Sequence, residues 1–273
     1  MLTDPWIAAL VALFLWWFST GVILMMVKYA DRHGPRFGQM LCIATFPIFL
    51  FGIFGIWAST DMVGQGAAFH AFLAALALWA WIEMSFLTGT ITGPNRCVCR
   101  DDVPEWERFI RAWGTIAYHE MLLAATLVGI WLYTDGSANT FGFWTFAVLF
   151  FARVSAKLNL FLGVRKINTE FLPNVLAHLP SHFRIAKMNW LFPMSITALT
   201  FAVACWLERI YSAATVGDVV GFSLLAAMTA LALLEHWFMV LPLPDEKLWR
   251  WMLPAPNPKQ QDKTIRTEDA HGL

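Results

Sequence analysis

Ionisable residues interrupt several long apolar stretches of this sequence. They are Glu83, His119, Glu120, Arg153, Lys157, Glu235 and His236. Imidazole and carboxylate groups can hold a metal ion, a neutral imidazole can be an axial ligand of a tetrapyrrole, and both groups can pass protons. Arginine and lysine beside carboxylates can instead form ion pairs that join helices inside a membrane. The residue types therefore indicate a ligand site, a proton path or a structural lock.

The apolar stretches decide whether these residues can meet. They cover approximately residues 6–27, 40–58, 67–87, 114–133, 141–164, 191–207 and 219–241. Each reaches, or nearly reaches, the ~20 apolar residues that a helix needs to cross a bilayer. The sequence therefore predicts an all-α protein, a polytopic membrane bundle of seven transmembrane helices in contact with the lipid bilayer.

The basic residues indicate which way these helices run. Most of the 19 Lys and Arg residues fall in alternate gaps between the stretches and in the C-terminal tail, whereas the opposite gaps contain only Arg209. Basic residues stay on the cytoplasmic side during insertion, so we expect the N-terminus outside and the C-terminus in the cytoplasm. Residues 1–253 are then the transmembrane domain, with cytoplasmic loops at 88–113 and 165–190. The polar, proline-containing tail 254–273 is expected to be disordered.

Opposed helix directions bring the ionisable residues to a common depth. At a rise of about 1.5 Å per residue they lie roughly 8 to 10 Å from the inner ends of their helices, with Arg153 one turn deeper. A charged side chain in the middle of the bilayer costs on the order of 2.5 to 3.5 kcal/mol, so these groups should face one another. Three carboxylates opposite Arg153 and Lys157 leave one excess negative charge, which a protonated histidine, a bound cation or a shared proton would neutralise.

Four interpretations of this polar layer are open at this point. The first is an ion-pair and hydrogen-bond lock between helices three, four, five and seven. The second is a tetrapyrrole or quinone site, the third a non-haem metal site, for instance for iron, and the fourth a proton path. The candidate metal ligands are His119, Glu120, Glu235 and His236, although the E-x-x-H pairs of di-iron bundles are absent. His119 and Glu120 are adjacent, and so are Glu235 and His236. Adjacent residues lie about 100° apart on a helix, so both members of such a pair cannot point at one small ion.

Composition, two prolines and two loop histidines give further expectations. A net charge of zero and a hydrophobic content of 58% give no support for nucleic-acid binding. Pro47 and Pro193 fall inside apolar stretches, so we expect them to kink the second and sixth helices. His178 and His182 lie in the second long loop, where we expect solvated side chains.

Three segments of the chain resemble the PuhE family of photosynthetic complex assembly proteins from purple phototrophic bacteria. They are ARVSAKLNLFLGVRKINTEFLPNVLAHLPSHF at 152–183, LLEHWFMVLPLPDEKLWRWML at 233–253 and AYHEMLLAA at 117–125. The resemblance implies a multi-pass protein of the bacterial inner, intracytoplasmic photosynthetic membrane. It also implies a factor for assembly of the photosynthetic reaction centre and light-harvesting complex. This factor would modulate bacteriochlorophyll supply or bind pigment. The implied partners are subunits of those complexes or pigment-synthesis enzymes.

An enzymatic alternative stays open beside this resemblance, since the family provides no catalytic motif to carry over. The alternative is a membrane metalloenzyme or oxidoreductase of tetrapyrrole chemistry that uses the intramembrane His and Glu residues. A tetrapyrrole or iron would then be the cofactor.

Overall fold

Helices account for nearly all of the regular structure. The computed structural model describes residues 4–100, 102–167, 169 and 172–241. Within these residues the α-helices are α1 Pro5–His33, α2 Pro35–Ala44, α3 Phe46–Ser59, α4 Gln65–Leu87, α5 Glu105–Thr134, α6 Phe141–Leu162, α7 Leu191–Tyr211 and α8 Val216–Phe238. Because α2 and α3 together form one span, seven helical segments are long and apolar enough to cross a membrane, which confirms the expected number. The predicted tail 254–273 lies outside the described residues.

The gap between the first two apolar stretches, residues 28–39, is mostly helical. Helix α1 continues through it to His33, and α2 begins at Pro35. Only Gly34 separates the two helices, with a φ of 90° that favours glycine. Lysine and arginine are good helix formers, so a helix can continue past the edge of the bilayer. Hydropathy therefore located the end of the apolar stretch and not the end of the helix.

The two prolines of the apolar stretches have different effects. Pro47 is at the start of α3, and the helix is broken at Thr45 immediately before it. This break agrees with the expected distortion of the second span. Pro193 lies in the first turn of α7, where a missing N–H removes no helical hydrogen bond. The expected kink in the sixth span was therefore wrong, because the helix starts only two residues earlier.

Helices α4 and α8 form the centre of the bundle. Both are buried along most of their length, whereas α7 exposes most of its surface. Phe72 and Leu76 of α4 pack against Val220 and Leu224 of α8, together with the alanines of α1. This central position brings the C-terminal ends of α4 and α8 close to α6, where the polar residues lie.

The second long loop folds back over the C-terminal end of α4. It contains two short 3-10 helices, Asn174–Leu176 and Leu179–His182. Leu176 and Leu179 pack on Phe86 near the end of α4. The Asp31 carboxylate of α1 accepts hydrogen bonds from the backbone N–H and the side-chain amide of Asn174, at 2.9 and 2.8 Å. The loop thus covers the C-terminal end of α4, beside the polar layer.

Candidate functional site

The C-terminal half of α6 carries a polar residue at every second position. Arg153, Ser155, Lys157 and Asn159 alternate with apolar residues. Residues four apart lie on the same side of a helix, so Arg153 and Lys157 share one face and Ser155 and Asn159 another. Helix α6 therefore contributes to two polar networks, one toward α4 and α5 and the other toward α7 and α8.

In the first network, Glu83 of α4 links α5 to α6. Its Oε2 accepts a hydrogen bond from Nη2 of Arg153 at 2.9 Å, and its Oε1 lies 3.6 Å from Nε2 of His119. Glu83 is buried, and the side chain of His119 is fully buried. A buried carboxylate without a nearby cation would be costly, so Arg153 compensates the charge of Glu83. The structure thus brings together three of the residues that the sequence analysis selected.

A second ion pair continues this network. Nζ of Lys157 donates a hydrogen bond to Oε1 of Glu120, and both side chains are largely buried. Nζ also lies 5.3 Å from the centre of the Phe86 ring, a cation–π distance. The ring of His119 packs on the same phenylalanine, with centroids 4.5 Å apart. Phe86 could not be predicted as a member of the site, because one phenylalanine in an apolar helix gives no distinct signal.

A segment of the first long loop contacts the backbone of α5 beside His119. The His119 N–H donates to the Thr92 carbonyl at 3.0 Å, and the Asn95 N–H donates to the Gly114 carbonyl at 3.0 Å. This approach requires glycine at position 93, because a Cβ there would lie 2.1 Å from the Gly114 carbonyl oxygen. The loop therefore fixes the position of His119 relative to α4.

The other network joins α6 to α7 and α8 without any charged residue. Ser155 contacts Nε2 of His236 at 2.8 Å and donates to Oγ of Ser195 at 2.9 Å. The side-chain amide of Asn159 donates to Oγ of Ser195 at 3.0 Å and to the Ser155 carbonyl at 2.9 Å. His236 was predicted from the sequence, whereas these uncharged partners were not. Their alternation with Arg153 and Lys157 was the available signal.

The hydrogen bonds of His236 define which nitrogen carries the proton. Nδ1 lies 2.7 Å from the Ala232 carbonyl, which can only accept, so Nδ1 is the donor. In the neutral ring, Nε2 then accepts from the Ser155 hydroxyl. Because Ser155 has a single hydroxyl hydrogen, it can donate either to His236 or to Ser195 at one time. The Ser155 hydroxyl can therefore switch between these two acceptors. The main effect of the network is to join α6, α7 and α8.

Glu235 does not join either network. It is exposed, although the neighbouring His236 is buried. Adjacent residues on a helix point about 100° apart, which explains the difference. Its carboxyl makes no ion pair or hydrogen bond with the residues that the structure describes.

Several buried polar atoms lack a hydrogen-bond partner. Within the described residues they include Oε1 of Glu83, both ring nitrogens of His119, Nε of Arg153 and Oδ1 of Asn159. No group of three or more His, Cys, Asp or Glu side chains within those residues could hold a metal ion. The candidate metal ligands His119, Glu120, Glu235 and His236 thus do not converge. The unpaired atoms leave capacity for a polar ligand or for a proton shared between Glu83 and His119.

The loop histidines are buried, so the expectation that they would be solvated was wrong. His178 and His182 are both buried, and Nε2 of each has no hydrogen-bond partner in the described part of the chain. Burial lowers the pKa of His178, and the charges of His182 and Arg96 lower it further. Burial also lowers the pKa of His182, with Arg108 contributing in the same direction. Burial and nearby positive charge thus disfavour the protonated form of both rings.

Comparison with known proteins identifies a family that covers most of the chain. It matches a family model described as "Protein of unknown function (DUF3623)" over residues 2–260. The chain belongs to the DUF3623 family. The DUF3623 chain is also 52% identical over 254 residues, covering 93% of each chain, to a Rhodobacter capsulatus protein described as "Uncharacterized 30.4 kDa protein in puhA 5′ region". No solved structure matches the DUF3623 chain.

Proposed function

We propose that this protein is an integral membrane factor for assembly of the photosynthetic reaction centre and light-harvesting complex. The observation that carries the proposal is the description of the Rhodobacter capsulatus relative, which refers to the region 5′ of puhA, a region of photosynthesis genes. The relative and this chain align over nearly their whole lengths, so they share the seven spans and not only one segment. The likeness of residues 152–183 and 233–253 to PuhE proteins supports the same role.

The arrangement of the bundle is compatible with a binding role. Most of the intramembrane charges are used in contacts between helices, at Glu83–Arg153 and Glu120–Lys157. The outer helices expose wide apolar faces, for example at Phe201 of α7. We infer that such faces and the two long loops meet reaction-centre or light-harvesting subunits, or pigment-synthesis enzymes. The location would then be the intracytoplasmic photosynthetic membrane.

Deletion and complementation in a phototrophic host that encodes the protein test this role. We expect deletion to lower the amount of assembled complex, measured by near-infrared absorption of isolated membranes, while the transcripts of its subunits stay unchanged. The wild-type gene should restore the absorption. Normal absorption in the deletion strain would refute the assembly role.

A second candidate function rests on His119. A fully buried imidazole with two unpartnered nitrogens is suited to an axial or hydrogen-bonded ligand, as in an oxidoreductase or metalloenzyme of tetrapyrrole chemistry. Visible spectra and elemental analysis of the protein purified in mild detergent test it. This candidate requires a chromophore or stoichiometric iron that a His119→Ala variant loses. A colourless, metal-free protein that still restores assembly would eliminate it.

A further inference from the structure

The loop segment 172–183 reaches the polar layer through one side chain, Phe86 of α4. Two leucines of the segment pack on Phe86, which is only 4% exposed. The Phe86 ring also packs on the His119 ring, with 4.5 Å between centroids, and its centre lies 5.3 Å from Nζ of Lys157. Displacement of the segment would therefore uncover Phe86 and, beside it, two residues of the buried polar layer.

Single hydrogen bonds hold the second half of this segment against the first long loop and α5. Oγ of Ser181 accepts from the backbone N–H of Cys99 at 2.9 Å. The carbonyl of His182 accepts from Nη1 of Arg108 at 2.9 Å. A short segment held by separate hydrogen bonds and a small apolar contact can open locally while the surrounding helices stay folded.

Two buried histidines of the segment leave one ring nitrogen unused. Nε2 of His178 and Nε2 of His182 are buried, and neither has a hydrogen-bond partner among the described residues. Nδ1 of His182 lies 3.3 Å from the His178 carbonyl, which can only accept, so Nδ1 carries the proton of the neutral ring. Protonation would then turn Nε2 into a buried donor without an acceptor and would add a buried charge, which is costly.

The charged side chains that influence the two rings are arginines. Burial, followed by the charges of Arg108 and Arg111 on α5, lowers the pKa of His182. Burial also lowers the pKa of His178, and the charges of His182 and Arg96 contribute in the same direction. Protonation of one ring therefore also disfavours protonation of the other while the segment stays in place.

The carboxylates around the segment already have partners. Glu105 and Glu107 of α5 and Glu83 of α4 each pair with an arginine. Asp31 of α1 accepts the two hydrogen bonds from Asn174. Within the described residues, no carboxylate forms an ion pair with either histidine ring of the segment, so a proton bound there is not compensated.

We propose that segment 172–183 is an acid-sensitive lid, which protonation of His178 and His182 releases so that the polar layer opens to water. At neutral pH both rings are uncharged and the lid stays closed. Below pH about 6.5 the open form binds protons that the closed form excludes, so the open population rises as the pH falls. Each histidine that is protonated only in the open form multiplies this population by roughly ten at pH 5.5.

Cysteine labelling of the purified full-length protein in mild detergent measures the opening. Cys99 is buried and bonded to Ser181 of the lid, whereas Cys97 is exposed. With Cys42 and Cys205 replaced by alanine, Cys97→Ser leaves Cys99 as the probe and Cys99→Ser leaves Cys97 as its matched control. A dipyridyl disulfide reacts with thiols at acid pH, and the ratio of the two rates corrects for the effect of pH on thiol reactivity. We expect the ratio of Cys99 to Cys97 labelling to rise roughly tenfold or more between pH 7.5 and 5.5.

Three variants connect this rise to the lid. His178→Gln/His182→Gln should flatten it, and either single variant should remove about one factor of ten, which provides the test if the double variant does not fold. His33→Gln, at an exposed histidine of α1, should leave the rise unchanged. Leu179→Ala removes part of the contact with Phe86 and should raise Cys99 labelling at every pH.

A labelling ratio that stays constant with pH in the chain with an unaltered lid would overturn the proposal. An unchanged acid response in the histidine variants would do the same, since the response would then come from other groups. Loss of the helical circular dichroism signal over the same pH range would also overturn it, because the cysteine would then report unfolding of the whole bundle.

Discussion

The Glu120–Lys157 pair offers the sharpest test of the polar layer. The exposed fractions of its side chains are 6% and 17%, so each charge depends on the other for compensation. Glu120→Gln removes the carboxylate and leaves the Lys157 cation buried. Breaking a buried pair in this way costs on the order of 3 to 5 kcal/mol, whereas replacing both partners by uncharged groups of similar volume is often close to neutral. We therefore expect a large loss in Glu120→Gln and a near-complete recovery in Glu120→Gln/Lys157→Met.

The measurement is reversible unfolding in mixed micelles, with an anionic detergent as denaturant and circular dichroism as the signal. The two single variants and the double variant form a thermodynamic cycle, and we expect a coupling free energy of about 3 kcal/mol or more. The exposed Glu208–Arg209 pair on α7 is the control, where Glu208→Gln should change the unfolding free energy little. Additive effects in the double variant would refute the view that this pair joins α5 to α6.

Three further predictions concern the second network, the loops and the contact between loop and helix. Ser155→Ala leaves His236 without its hydroxyl partner and should lower the unfolding free energy by about 1 to 3 kcal/mol, measured in the same micelles. The pKa values of His178 and His182 are lowered in the folded protein, so below pH about 6.5 the unfolded chain binds more protons than the folded one. The free energy of unfolding should therefore fall as the pH drops through that range. A His178→Gln/His182→Gln double variant should show a weaker acid loss in thermal melts recorded from pH 5 to 8, and an unchanged loss would assign the effect to other groups. Gly93→Ala would place a Cβ against the α5 backbone and should lower the unfolding free energy by roughly 1 to 3 kcal/mol or more, the range for overpacking. An unchanged unfolding midpoint would show that the loop can move away.

The number of spans could be predicted from the sequence because hydropathy depends only on composition along the chain. The helix ends could not, since the basic residues between 28 and 39 are as compatible with a helix as with a loop. Pro193 shows the same limit, because its effect depends on how many residues of helix precede it. Which end of each helix faces the cytoplasm stays a prediction from the distribution of Lys and Arg.

In the candidate site, only the pairing of the charged residues and their depth could be predicted. The cost of an isolated charge in lipid predicts that Glu83 and Arg153 find partners, and helical rise gives the depth at which they do so. Rotation about the helix axis was not predictable, since it depends on packing against every neighbouring helix. Glu235 and His236 therefore point in different directions, although they are consecutive in sequence.

The order of the charges along the chain has a consequence for biogenesis. The acidic residues Glu83 and Glu120 lie in α4 and α5, and their cationic partners Arg153 and Lys157 follow in α6. Synthesis proceeds from the N-terminus, so the carboxylates are already present when the arginine and lysine leave the ribosome. We expect α6 to be a poor membrane segment by itself and to integrate efficiently only after α4 and α5, which a glycosylation-based insertion assay on truncated chains would measure.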